Sequence, residues 1–339
     1  MNQVNSTRLL HGKKASPLEV VLECIGNDLE KVDQEFRKNL KSDVPIISAI
    51  GEYLLLSGGK RFRAQLLLLS SKLCGYQGDL HISMASLIEF IHTATLLHDD
   101  VVDKAKLRRG IRSANYEWGN EVCVLVGDFL FTKCFTLMVE SGNWKIIHTI
   151  SRATTTMAEG EVQEWARTKD LSLTEEGYLS IITCKTAHLI SAATQIGAIL
   201  GNASDEKERA LAEFGMNVGI AFQLIDDQLD YTSNEEEFGK KIGIDLQDGK
   251  ITLPLISTLH HCHPEEKAFI QKTVESSPIT KEAFFQVIEI IERYHGIQYT
   301  WEKARGYIEK AKGYLLPFPN SKEKEALYAL ANYVLERRL

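Results

Sequence analysis

The chain has 339 residues, enough for one large domain or two smaller ones, and its 44% hydrophobic content can fill a sizeable core. A formal net charge of −7 argues against a general affinity for nucleic acid. Six scattered cysteines (Cys24, Cys74, Cys123, Cys134, Cys184 and Cys262) form no C-x-x-C pair, which fits small apolar fillers in a reducing, cytoplasmic setting.

Residues 1–16 lack the apolar centre of a signal peptide and read as a flexible arm, leaving 17–339 as one domain. No run of about 18 apolar residues stands out, so no membrane span is expected. Prolines number only 7 and strand-like alternation is scarce, so the fold class is all-α.

Residues 17–42 have the spacing of an amphipathic helix, started by Ser16 and Pro17. Then comes SGGKRFRAQLLLLSSKLCG, 57–75. Glycines 58 and 59 break the chain, and Lys60, Arg61 and Arg63 precede an apolar helical run. Cations at a helix start oppose its dipole unless an anion sits among them. The segment is either a phosphate cradle or a solvated basic face.

The next stretch, Ser86 to Gly110, is apolar nearly all round as far as Val102, which marks a buried helix. Yet it carries His92, Thr95, Asp99 and Asp103 at separations of three, four and four residues, on one stripe. Carboxylates on a buried helix are costly unless paired or bound to a metal. Lys104, Lys106, Arg108 and Arg109 follow, either to neutralise the acids or to receive phosphates that a bound metal would bridge.

Residues 119–140 form another strongly apolar helix, in which Asp128 is expected to bond a neighbouring helix. Residues 143–169 carry Glu159, Glu161 and Glu164. In 174–202, Lys185 and Thr186 lie in apolar surroundings; the lysine either snorkels from a helix end or pairs with an anion. Segment 215–231 repeats the earlier design, with Gln223, Asp226, Asp227 and Asp230 among apolar residues. Residues 232–253 are polar and glycine-punctuated, a long non-helical stretch of the kind that carries function. Its Lys240, Lys241 and Lys250 are placed to close over an anion. From 264 to 339 the pattern is one of packing helices.

Two D-D-x-x-D segments on apolar helices, each with basic residues nearby, describe a diphosphate site. Mg²⁺ takes one or two carboxylates plus substrate phosphates, and the basic residues supply further phosphate contacts. Neither a Walker-type glycine loop nor zinc spacing nor a serine elbow is present. With diphosphate as leaving group, a carbocation remains, and apolar walls would hold its hydrocarbon chain and exclude water.

GGKRFR (58–63), DDVVD (99–103) with LRRG (107–110), VGDF (126–129), KTA (185–187), FQLIDDQLD (222–230) and IGIDLQDGKITLPL (242–255) resemble, in order and spacing, the motifs of trans-isoprenyl diphosphate synthases. The likeness spans roughly 17–339 and is greatest to the polyprenyl branch that makes quinone side chains, octaprenyl diphosphate synthases among them. It implies the all-helical isoprenoid synthase fold, a central cavity between two facing aspartate motifs, and 1′-4 condensation of isopentenyl diphosphate onto an allylic diphosphate such as farnesyl diphosphate. It implies Mg²⁺ on Asp99 and Asp103 with Asp100 in support, and a further Mg²⁺ on Asp226 with Asp227 and Asp230 in its shell. Arg108 would contact the allylic diphosphate; Lys60, Arg63, His92 and Arg109 would hold isopentenyl diphosphate. Lys185, Thr186 and Gln223 would line the allylic site, and Lys240 and Lys250 would reach the phosphates. A homodimer that hands its product to a membrane is also implied.

Short-chain members of the family place a bulky residue four or five positions before the first aspartate. Thr95 and Ala94 stand there, both small, so a long product is expected rather than a farnesyl or geranylgeranyl one. Met138 and Ile150 are either floor residues of the tunnel or plain core. A terpene cyclase would lack the GGKR segment and the second D-D-x-x-D. A non-catalytic partner subunit would lose the aspartates. Without the resemblance, a metal-dependent phosphohydrolase would be the runner-up.

Overall fold

The structure is a computed structural model that describes residues 17–56, 59–232, 243–276 and 278–337. The expected N-terminal arm, Gly58, Lys240 and Lys241 lie outside the described residues.

Pro17 opens the first helix, where a proline loses no backbone bond and its φ is preset. The helices run α1 (Pro17–Asn39), α2 (Pro45–Leu56), α3 (Phe62–Leu73) and α4 (Leu80–Val102). A hairpin of β1 (Leu107–Arg108) and β2 (Ile111–Arg112) follows, the only strand pairing among the described residues. Its two loop residues, Arg109 and Gly110, have φ of 51° and 79°, as a type I′ turn requires. The chain continues through α5 (Ala114–Trp118), α6 (Asn120–Glu140), α7 (Trp144–Ala166) and α8 (Glu175–Ile182). A π-helical turn, Thr183–Ala187, joins α8 to α9 (His188–Leu200). Then come α10 (Asp205–Thr232), α11 (Ile244–Gln247), α12 (Leu253–His261), α13 (Pro264–Glu275), α14 (Lys281–Arg293), α15 (Gly296–Tyr314) and α16 (Lys322–Glu336).

Two long helices organise the bundle. α4 packs against α6, α3 and α1; α10 packs against α9, α15 and α16; α3 lies on α9 and joins the two groups. The pattern that marks α4 as buried is realised: Leu87, Ile88, Phe90, Ile91, Ala94 and Leu97 are all buried, and Phe90 stacks on Phe36 with ring centroids 4.2 Å apart. Fully burying each large side chain contributes about 1.5–3 kcal/mol.

The structure adds to the sequence reading at some points and changes it at others. α2 lies between stretches read from the sequence. The segment 174–202 is two helices with a π turn between them, and the described part of 232–253 includes the short helix α11. Finally, α4 and α6 are each long and apolar enough to cross a membrane by length and composition, although no such run was expected. Most of the apolar window of α4 is buried within the protein, so its hydrophobicity is that of a core helix.

Candidate active site

Both aspartate motifs lie at the C-terminal end of a helix. Asp99 and Asp100 sit in the last turn of α4, and Asp103 is its C-cap. Asp226, Asp227 and Asp230 fall in the last two turns of α10. Negative charge there adds to the negative end of the helix dipole, an arrangement that stability alone would disfavour. Two adjoining cavities, about 100 and 350 Å³, share Glu164 and Lys250. Asp99, Asp103, Glu161 and Asp248 line one; Gln223, Asp227, Asp245 and Lys185 line the other. The first motif borders the larger of the two through Asp99 and Asp103; the second reaches the smaller through Asp227 alone, and Asp226 and Asp230 line neither.

The π turn is gripped from two sides by glycines. A Cβ on Gly160 of α7 would stand 2.6 Å from the Lys185 nitrogen, and one on Gly219 of α10 would stand 2.6 Å from the Ala187 Cα. Only glycine admits this approach. The wide turn sends consecutive side chains to opposite neighbours. Lys185 Nζ donates to Glu161 at 2.7 Å and Glu164 at 2.6 Å on α7, while Thr186 donates to Gln223 Oε1 at 2.8 Å on α10. Lys185 therefore has its anion. Burial lowers its pKa, but Glu164, Asp99 and Glu161 more than offset this and raise it. Burial, with Asp99 beside it, pushes Glu161 up to about 7. Burial likewise raises Asp99, with Asp103 adding and Lys185 opposing.

From the loop side, Lys250 Nζ meets Asp103 at 2.9 Å. Burial pushes Asp248 up to about 6. Asp230 accepts the backbone N–H groups of Ile244 and Asp245 at 3.2 and 3.0 Å, capping α11. Asp100 is 1% exposed and accepts Arg108 Nε at 2.9 Å on both oxygens. Neither cavity is lined by Asp100. Asp227 accepts from Gln223 at 2.7 Å and from the Tyr178 hydroxyl.

The cations form a second cluster. α3 lacks a side-chain cap of its own; instead the buried Glu89 of α4 accepts its Ala64 N–H at 3.1 Å. Arg61 lies at φ 50° before the helix, bonded to Asp33 at 3.0 Å and 3.6 Å from Glu89. Arg109 reaches back across Gly59, where an added Cβ would be 2.9 Å from its guanidinium. Burial among Arg63, Arg109, Arg108 and Arg61 drives the His92 pKa well below its usual range, so His92 is neutral. Arg63 Nε is buried with no hydrogen-bond partner, an orphan donor of the kind an anion would satisfy.

The C-terminal helix is more than packing. Arg337 bonds Asp226 at 2.8 Å and lies 4.0 Å over the Phe222 ring, and Lys60 donates to the Tyr333 hydroxyl. Glu161 and Glu164 were noted in the sequence without a role, and Arg337, Tyr333, Asp245, Asp248 and Tyr178 were not singled out there. The one signal that pointed to some of them was the anion a buried Lys185 requires.

Ala94, Met138 and Ile150 are all buried within the core; Thr95 is half-buried and bonds the His92 carbonyl at 2.8 Å. Asp128, expected to bond a neighbouring helix, lies exposed 3.6 Å from His98 of α4, whose ring nitrogen meets the Val124 carbonyl at 3.2 Å.

Among the described residues no three His, Cys, Asp or Glu side chains converge into a closed metal cage. The donors present are hard carboxylate oxygens. Lys250 on Asp103 and Arg337 on Asp226 mark where positive charge is wanted.

The chain matches the polyprenyl synthetase family over residues 44–291. It is 40% identical over 320 residues to octaprenyl diphosphate synthase of Escherichia coli (strain K12), covering 94% of this chain and 99% of that one. It is 36% identical over 318 residues to a geranyl-diphosphate-specific all-trans-nonaprenyl-diphosphate synthase of Rhodobacter capsulatus, covering 94% and 97%. The crystal structure of a polyprenyl synthase from Caulobacter crescentus CB15, complexed with calcium and isoprenyl diphosphate, superposes with a TM-score of 0.92 at 39% identity, covering 96% of this chain and 100% of that one. The chain belongs to the polyprenyl synthetase family, prenyltransferases that share the all-α isoprenoid synthase fold.

Proposed function

We propose that this enzyme adds isopentenyl diphosphate head-to-tail (1′-4) to an allylic diphosphate, farnesyl diphosphate as the expected starter, and makes a long product of octaprenyl type. The observation that carries the reading is a pair of acidic cavities joined at Glu164 and Lys250, one lined by Asp99 and Asp103 and the other by Asp227, with Lys185 and Lys250 on their walls. Asp99, Asp103 and Asp226 are the proposed Mg²⁺ ligands. Asp100 supports them by orienting Arg108, and Asp230 by fixing α11. Bound Mg²⁺ would supply charge neutralisation at the departing diphosphate.

The chain's own residues do the rest. Arg108, Lys185 and Lys250 hold the allylic diphosphate, with Lys240 assigned there from the sequence pattern. Arg63 and Arg109, beside the neutral His92, hold isopentenyl diphosphate together with Lys60; the orphan Arg63 donor supports that placement. Gln223 and Thr186 face the developing cation with oxygen atoms. The proton lost in each addition leaves with the released diphosphate. Free thiols at all six cysteines support a cytoplasmic setting. Mass spectrometry of products from farnesyl and isopentenyl diphosphates with Mg²⁺ tests the reading. A polyprenyl diphosphate ladder supports it, and inorganic phosphate without chain growth overturns it.

Ala94 is buried five residues before Asp99, and we place it beside the growing chain from its position in the sequence. Ala94→Phe is expected to shorten the product; an unchanged ladder removes Ala94 from the tunnel.

We further propose a homodimer through α6. Leu125, Phe135 and Val139 are 67%, 58% and 70% exposed and form one apolar stripe along it. Phe135→Glu should shift the protein toward monomer in light scattering, whereas a wild-type protein that is monomeric at micromolar concentration would remove the proposal.

A further inference from the structure

Four side chains from three elements form one hydrogen-bonded line beneath the second aspartate motif. Tyr178 of α8 donates its hydroxyl to Asp227 Oδ2. Asp227 Oδ1 accepts from Gln223 Nε2 at 2.7 Å, one turn earlier on α10. The Gln223 amide oxygen then accepts the Thr186 hydroxyl at 2.8 Å, on the π turn.

The line has a direction. Both Asp227 oxygens accept, one from the Tyr178 hydroxyl and one from the Gln223 amide nitrogen, which leaves the amide oxygen toward Thr186. A reversed amide would set Gln223 oxygen against carboxylate oxygen and aim a donor at the allylic site. Tyr178 is 3% and Asp227 4% exposed, so bulk water cannot replace either partner. The neighbouring Asp226 is turned to a different task, bonding the Arg337 guanidinium at 2.8 Å. Adjacent aspartates of one motif thus serve different neighbours.

We infer that Tyr178 is a positioning residue for the condensation: through Asp227 it holds the Gln223 amide with its oxygen toward Thr186 and the allylic carbon, and Asp227 serves this line rather than a metal ion. The inference rests on the proposed placement of Thr186 and Gln223 at the allylic site. An amide oxygen aimed at a developing cation lowers the barrier, whereas an amide free to turn loses that preorganisation.

The test is steady-state kinetics of Tyr178→Phe, Gln223→Leu and the double variant, with both diphosphates and with Mg²⁺ varied. Tyr178→Phe keeps the ring and removes only the donor. Its kcat is expected to fall about tenfold. Both KM values and the half-saturating Mg²⁺ should stay within about twofold, and in the Gln223→Leu background Tyr178→Phe should cost less than about twofold more. Unchanged kcat, a raised Mg²⁺ requirement or multiplying losses in the double variant would overturn the inference. Should Tyr178→Phe fail to fold, Asp227→Asn is read the same way: lower kcat at unchanged half-saturating Mg²⁺ supports the line, and a raised requirement assigns Asp227 to the metal. Wild-type turnover in the same assay reports separately on the condensation itself.

Discussion

Asp99→Ala is expected to lower turnover by about a thousandfold or more while the helical fold stays intact. Asp99 lies in the last turn of α4, where the helix dipole is already negative, and burial and Asp103 push its pKa upward. In the metal-free protein its charge is therefore a cost. Removing it relieves repulsion with Asp103 and Glu161, and alanine is the strongest helix former. Loss of a ligand to the diphosphate-bridging ion removes stabilisation specific to the transition state. The combination is diagnostic: circular dichroism and the thermal midpoint of the metal-free variant should match or exceed wild type while turnover collapses. Near-normal turnover would remove Asp99 from the metal site.

Lys185→Met should impair both stability and activity, and the stability loss should depend on pH. Lys185 is 18% exposed and its partners Glu161 and Glu164 are 30% and 26% exposed. Removing one member of such a cluster leaves uncompensated carboxylates and costs about 3 kcal/mol, the low end of the range for buried pairs because these retain some solvent. The folded-state pKa of Lys185 is raised, so its contribution is fully present below the unfolded lysine value and changes little at acidic or neutral pH. The pH dependence in that window comes from the carboxylates. Glu161 has a folded pKa of about 7, above its ordinary 4.5, so the folded state binds the extra proton and stability falls as pH rises between those values. Without Lys185 that folded pKa climbs further. The deficit of the variant relative to wild type should be smallest near pH 5 and grow toward pH 8. Thermal unfolding of both metal-free proteins across this range is the measurement; a deficit that shrinks as pH rises would show that Lys185 does not neutralise these acids.

Much of the site was legible in particular stretches. The helix of Asp99 announced itself because its apolar residues cover nearly every face, leaving the acids without a solvent-facing excuse. The apolar neighbours of Lys185 left two readings, a snorkelling side chain or an anion partner, and the structure supplies the partner in Glu161 and Glu164. Glu161 and Glu164 were visible in the sequence but had no role there; Gly160 brings their helix onto the π turn and so gives them Lys185. The C-terminal helix read as packing because Arg337 has no chemical company in its own segment; its partner Asp226 belongs to α10. Tyr178 was hidden for the same reason: a lone tyrosine in an apolar helix looks like core until Asp227 is found against it.

The chain by itself determined the all-α class, the two acidic helix ends and the basic segments around them, because each depends on residue spacing within one element. Tertiary structure alone decided which acid meets which cation, that Asp100 and Asp227 turn to Arg108 and Tyr178 while Asp103 and Asp226 meet Lys250 and Arg337, and that the last helix reaches the site. Those pairings depend on how helices rotate and approach one another, set by the packing of the whole core and by close contacts at a few glycines, and local periodicity carries no record of either.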